Sequence, residues 1–178
     1  MYLFLDIETY SKKKPTPLDK IIAIGILYRK GECSEMIIFK EWERSEKLIL
    51  RDFYEFVFSM DSPTIVTFNG LRFDIPALIY RAQLYNLYTL EDLLEFWHST
   101  RVIDLFQILL TENSFRFKGN SFKNALKKYG IPQRTNNKEI AERYEKGDYK
   151  YIEEHLREDL INLEKLFWKI WRRYQAQR

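Results

Sequence analysis

YLFLDIE (residues 2–8) is an apolar run that closes on two acids, Asp6 and Glu8, and it reads as a short strand. The next two apolar runs decide the sheet. KIIAIGILYR (20–29), rich in Ile and broken by Gly25, and EMIIFKEW (35–42) read as two more strands. The loop SKKKPTPLDK (11–20), where Pro15 and Pro17 exclude regular structure, joins the first pair, and a turn at Lys30-Gly31 joins the second. Connections this short make the three strands an antiparallel meander. Then the period changes. Ile49, Phe53, Phe56, Val57 and Met60 recur at helical spacing, Pro63 ends that helix, and TIVTF (64–68) reads as a buried strand. Asp74 can N-cap a helix with Ile75, Leu78, Ile79 and Ala82 on one face. Thr89 caps TLEDLLEFW, with Leu90, Leu93, Leu94 and Trp97 inward and Asp92 three residues after the cap. Ile103 and Leu105 flank Asp104 in a short strand or a helix start. Phe122, Ala125, Leu126 and Tyr129 form a further stripe, closed by Gly130 and Pro132. The last helix carries Leu156, Leu160, Leu163, Phe167, Ile170 and Tyr174. A meander, then a helix, a strand and several helices, defines an α/β fold with a mixed sheet.

The length of 178 residues suits one domain spanning 1–178, large enough to bury a core without disulfides or structural zinc. The single cysteine, Cys33, allows no internal disulfide and no Cys-rich metal site. No apolar run approaches the roughly 18 residues of a membrane span. The N-terminus has an acid inside its apolar run and no basic flank before it, so it is not read as a signal peptide. The expectation is a soluble, cytoplasmic protein without a membrane partner. Basic residues exceed acidic ones by 29 to 26, a balance that permits nucleic acid as a partner without implying it.

Four acids, at three places in the chain, fit poorly in apolar surroundings. Asp6 and Glu8 are two apart in a strand and share a face, where like charges repel unless a cation or water lies between them. A strand end emerging into solvent is the plainer explanation. Asp74, in TFNGLRFDIPAL, follows a buried strand directly, and either as a helix cap or as a ligand it falls at the sheet's C-terminal edge. Asp159 lies in the last helix, one position before the stripe residue Leu160. His155 lies one turn earlier, so the two share the edge of the buried stripe. In isolation His155 reads as a surface imidazole, and Glu153, Glu154, Arg157 and Glu158 as a solvated face. Together the four carboxylates suit hard divalent cations, which take oxygen ligands. Two such ions can clamp an in-line displacement at phosphorus, and one histidine within reach could take a proton from the attacking water.

LDIET (5–9), FNGLRFD (68–74) and HLRED (155–159) resemble, in order and spacing, the three motifs of the DEDD superfamily of 3′–5′ exonucleases. The resemblance spans nearly the whole chain. IDLF around Asp104 and SFKNALKKYGIP (121–132) are similar to the branch related to the exonuclease domain of family-B DNA polymerases. It implies a ribonuclease-H-like fold and a two-metal-ion exonuclease that uses Mg²⁺ or Mn²⁺ and trims single-stranded DNA or RNA from a 3′ end. Carried over by position, Asp6 bridges both ions, Glu8 and Asp159 complete one site, and Asp74 serves the other, partly through water. Thr9, Asn69 and Phe73 fall where the family contacts the terminal nucleotide, although a Phe there also suits plain core packing.

This chain departs from the family at one position. One branch carries a Tyr four residues before the last Asp, and the other a His five before it. His155 has the Tyr-branch spacing, and Glu154 fills the His-branch position. On a helix those positions differ by about 100° around the axis. The expectation is therefore the Tyr-branch layout, with the imidazole handling the attacking water. Lys12, Lys13 and Lys14 either track phosphates or form a solvated loop. The sequence ends soon after its last helix, so an exonuclease without an attached polymerase is expected. Two alternatives stand beside it: a catalytically weak nucleic-acid-binding adaptor of the same fold, and a ribonuclease-H-like endonuclease.

Overall fold

A computed structural model describes residues 1–30, 33–135 and 139–176. Its sheet has five strands: β1 (Tyr2–Tyr10), β2 (Lys20–Lys30), β3 (Cys33–Lys40), β4 (Thr64–Thr67) and β5 (Arg101–Asp104), in the order β3-β2-β1-β4-β5. β1, β2 and β3 pair antiparallel, while β4 runs parallel to β1 and β5 parallel to β4. The meander and the mixed α/β sheet are thus as the pattern of apolar runs implies. The expected turn at Lys30-Gly31 lies partly outside the described residues. β3 stops at Lys40, and Glu41 and Trp42 enter a short 3-10 turn instead of extending the strand.

The helices are α1 (Glu46–Phe58), α2 (Asp74–Leu84), α3 (Leu90–Ser99), α4 (Leu105–Leu110), α5 (Phe122–Lys128), α6 (Ile140–Glu145) and α7 (Tyr149–Gln175). Among the described residues no helix is long and apolar enough to cross a membrane. Alternation along β1 sorts the layers. Leu3, Leu5 and Ile7 pack on α1, α2 and α3, whereas Phe4 joins Leu156, Leu160 and Leu163 of α7 on the opposite face. Asp6 and Glu8 continue the second face, so the period of the strand itself aims them at α7.

Several local expectations need correction. Asp74 is the first residue of α2, not its cap; Phe73 holds the cap position with no side-chain hydrogen bond. Leu90 is exposed, because it opens α3 before the helix reaches the core, and Tyr174 is exposed, because α7 outruns the sheet after Ile170. The Thr89–Asp92 capping box is present. Asp104 satisfies both readings of its segment: it ends β5, and its carboxylate caps α4 through the Phe106 N–H. Helix α6 has no counterpart in the sequence reading; it is six residues long and carries one buried residue, Ile140, too little for a periodic signal. Glu46 was also unforeseen. It is buried at the start of α1 and accepts from the Ile21 N–H, the Arg81 guanidinium and the Tyr85 hydroxyl, tying β2, α1 and α2 together.

Gly25 sets how closely α7 can approach. It pairs with Asp6 across β1 and β2, and a Cβ built there lies 2.7 Å from Leu160 Cδ1 and 2.9 Å from Leu156 Cγ. Both leucines are fully buried. The missing side chain lets the helix that carries His155 and Asp159 lie directly over the strand pair that carries Asp6. On strand propensity alone, Gly→Ala in a strand is favourable. Here the sign should reverse: Gly25→Ala should lower stability by about 1–3 kcal/mol through overpacking, read by thermal or urea unfolding. An unchanged or raised midpoint would contradict the close approach.

Candidate active site

The C-terminal ends of the parallel strands bring the predicted residues to one place. Asp6, Glu8, Thr9, Asn69, Phe73 and Asp74 all line a cavity of about 480 Å³, together with Lys13 and with Ile140 and Ala141 of α6. A smaller cavity of about 110 Å³ lies between Asp6, Asp159, Phe68, Phe122 and Leu163. Asp6 is common to both. The pairing register of β1 and β2 breaks between Glu8 and Thr9, at the rim of this cleft.

The loop after β4 is held by hydrogen bonds that the acids themselves do not supply. Asn69 takes a left-handed conformation (φ 65°), which Asn tolerates better than most residues. The Asp104 carboxylate accepts from the N–H groups of Asn69 at 2.7 Å and Leu71 at 3.1 Å, and Gly70 N–H donates to Thr67 Oγ1 at 3.1 Å. Asp104 thus fixes the turn that delivers Phe73 and Asp74. Phe73 is half-buried against the α1–α2–α3 core and also lines the cavity.

On α7 the structure differs from a surface pair. His155 is fully buried and Asp159 nearly so. His155 Nε2 stands 3.4 Å from Glu8 Oε1 and 3.5 Å from Asp159 Oδ2. Its other nitrogen, Nδ1, lies 2.5 Å from Thr135 Oγ1. Glu158, read from sequence as solvated, instead accepts from the N–H groups of Arg134 and Thr135 and from the Thr135 hydroxyl. Gln133 donates to Asp159 Oδ1 at 3.0 Å, and Asn162 to the Pro132 carbonyl at 3.2 Å. The segment 132–135 is therefore strapped to α7 beside the acids. Nothing in its polar sequence signals this; the contact is long-range. Glu154 is exposed and does not face the cluster.

Crowding and burial hold these acids away from their ordinary ionisation. Burial pushes Asp6 well above the usual carboxylate range, and the neighbouring charges of Asp74, Asp159 and Glu8 raise it further. Glu8 is raised well above its usual value by burial, then by Asp159 and Asp74. Burial carries Asp74 and Asp159 each up to about 7, opposed by backbone N–H groups at Asp74 and by Gln133 at Asp159. His155 is pushed down to about 4 by burial, against the pull of Glu158. Carboxyl groups that resist ionisation and an imidazole that resists protonation would all be relieved by one thing, a bound cation. Glu8, His155 and Asp159 offer ligand atoms that all lie within 4.8 Å of one another. This donor set, oxygen-rich and deprived of internal counter-charge, fits a divalent metal ion.

Residues 11–177 match the family described as "Predicted 3'-5' exonuclease related to the exonuclease domain of PolB", and the chain belongs to that family. The match begins after the strand residues Asp6 and Glu8. DNA polymerase 2 of Aeropyrum pernix is 41% identical over 81 residues, covering 44% of this chain and 10% of the polymerase. Among solved structures, the family B DNA polymerase of the hyperthermophilic archaeon Pyrobaculum calidifontis superimposes with a TM-score of 0.68 at 19% identity, over 93% of this chain and 24% of that one. Product-bound exonuclease I gives 0.60 at 16% identity, over 93% and 42%. The zinc-bound complex of E. coli exonuclease I with single-stranded DNA gives 0.54 at 16%, over 74% and 35%. The chain thus spans about a tenth of the matched polymerase's length. These likenesses establish the ribonuclease-H-like exonuclease fold.

The shifted carboxyls give stability a distinctive pH dependence. A carboxyl whose folded-state value is raised contributes stability that is present below its unfolded value and lost as pH rises through the folded value. His155, depressed in the folded state, contributes in the opposite sense, and that contribution is lost as pH falls from the ordinary histidine value toward about 4. Above about pH 6.5 only the carboxyls remain in play. The chelator-treated protein should therefore lose thermal stability between about pH 6.5 and 8, as Asp74 and Asp159 ionise near 7, and Mn²⁺ should abolish that loss. A melting temperature flat across this range in chelator would contradict the burial of these charges.

Proposed function

We propose that residues 1–178 act as one metal-dependent 3′–5′ exonuclease domain that hydrolyses single-stranded DNA or RNA from its 3′ end. The observation that carries this is the convergence of Asp6, Glu8, Asp74 and Asp159, from β1, α2 and α7, on two cavities that share Asp6, where none has a Lys or Arg to pair with among the described residues. Two divalent ions, Mg²⁺ or Mn²⁺, held in common by Asp6, by Glu8 and Asp159 on one side and by Asp74 on the other, would supply the positive charge that stabilises an in-line displacement at phosphorus.

The chain's own residues account for the rest. Phe73 presents a ring on which a terminal base can stack, a contact that tolerates any base. Thr9 and Asn69, which line the same cavity, offer polar groups to the terminal sugar. Lys13 reaches the cavity and can neutralise a phosphate, while Lys12 is engaged with Glu145 at 2.7 Å. Asp104 holds the turn under Asn69, and Gly25 admits α7, so both act by positioning.

A 5′-labelled single strand incubated with Mg²⁺ or Mn²⁺ tests this directly. The expected product is a ladder shortening from the 3′ end. Internal fragments would instead indicate a ribonuclease-H-like endonuclease, and a retarded but uncut strand an adaptor. Asp6→Asn and Asp159→Asn should each reduce cleavage by at least about 100-fold. Both should melt at or above the wild-type temperature in chelator, since each removes a buried repulsion. Full activity in either variant would refute the assignment.

A further inference from the structure

His155 is set apart from the acids that line the two cavities. It is fully buried, and its Nε2 has no hydrogen-bond partner among the described residues. Its protonation follows from the groups behind it. The Thr135 hydroxyl has one proton, and the Glu158 carboxylate at 2.6 Å, an acceptor, takes it. Thr135 Oγ1 must then accept from His155 Nδ1–H at 2.5 Å. The neutral ring carries its hydrogen on Nδ1, and Nε2, left with its lone pair, stands 3.4 Å from Glu8 Oε1 and 3.5 Å from Asp159 Oδ2.

Three lone-pair donors meeting in a buried space repel unless a carboxyl proton or a bound cation lies between them. The spacing suits one. Donor atoms bound at about 2.0–2.2 Å to a single ion stand about 2.8–3.6 Å apart, and the two separations from Nε2 are 3.4 and 3.5 Å. A histidine ligand commonly donates its other ring N–H to an oxygen that fixes its orientation, and here that oxygen belongs to Thr135, itself held by Glu158. The imidazole also lines neither of the cavities that open onto Asp6. That position suits a ligand better than a base meeting an attacking water.

We propose that His155 Nε2 is a direct metal ligand, completing with Glu8 and Asp159 a mixed nitrogen–oxygen site, and that Thr135 and Glu158 position the ring. A tyrosine at this position, as in the related branch, would leave the site to oxygen donors. An imidazole donor shifts preference toward first-row transition ions such as Mn²⁺ over Mg²⁺. The inference rests on the metal centre proposed above and specifies the chemistry of one of its halves.

The test is pulsed electron paramagnetic resonance on the chelator-stripped, Mn²⁺-reloaded full chain, with Mn²⁺ and Mg²⁺ affinities measured by calorimetry. The chain has two histidines, and the other, His98, is exposed on α3. A ¹⁴N coupling to Mn²⁺ is expected in wild type and in His98→Ala, and is lost in His155→Tyr. His155→Tyr should weaken Mn²⁺ at least about tenfold and Mg²⁺ by less than about threefold, and Thr135→Val should weaken Mn²⁺ about tenfold, with Thr135→Ser restoring it. Mn²⁺ that binds in an Asp6-dependent way with no nitrogen coupling in wild type would overturn the ligand assignment and leave the carboxylate centre standing. No Mn²⁺ binding at all would overturn both.

Discussion

Like charges brought together with little water are the constraint to which the rest of this structure answers. Asp6 sits in mid-strand with Glu8 on its own face, Asp74 delivered by α2 and Asp159 by α7. Desolvation and mutual repulsion both oppose ionisation of such a cluster. The fold sustains it with features remote from the acids. Gly25 removes a side chain where α7 must descend. Asp104 holds the turn after β4 through the N–H groups of Asn69 and Leu71. Glu158 fastens the 132–135 segment to α7. Each is a structural cost accepted to hold charges that stabilise nothing by themselves, the usual mark of a site shaped for a ligand.

Much of this was legible in sequence, and the reason is periodicity. Alternation in YLFLDIE puts Asp6 and Glu8 on one face, and the four-and-three spacing of Leu156, Leu160, Leu163 and Phe167 puts His155 and Asp159 at the edge of one stripe. Local rules say which residues share a face; the order of elements then says which faces meet. The features that escaped have no local signal. Glu158 has the spacing of a solvated helix face, and only the long-range return of Arg134 and Thr135 makes it a structural acceptor. Glu46, at a helix start, is indistinguishable in sequence from a surface acid favouring the helix dipole. Asp74 satisfies every rule for a cap, yet the chain caps there with Phe73 and leaves the carboxylate for the cleft.

His155 joins the two levels. Helix spacing alone sets it beside Asp159, but not how deeply it is buried or which nitrogen is free. Burial follows from α7 lying close on β1 and β2, and the tautomer from a threonine twenty residues upstream. A neutral ring, oriented from behind and unpartnered in front, also explains why burial dominates its ionisation although two acids lie within 3.5 Å. Those acids are themselves held toward the neutral form.

The proposed metal centre has these carboxylates sharing ions about Asp6. The most direct measurement is anomalous diffraction from crystals soaked with Mn²⁺ and a nucleoside monophosphate, the product of the proposed reaction. Two Mn²⁺ peaks are expected on either side of the Asp6 carboxylate, one against Glu8 and Asp159 and the other toward Asp74. Peaks confined to the protein surface, or none in the cleft at saturating Mn²⁺, would contradict it.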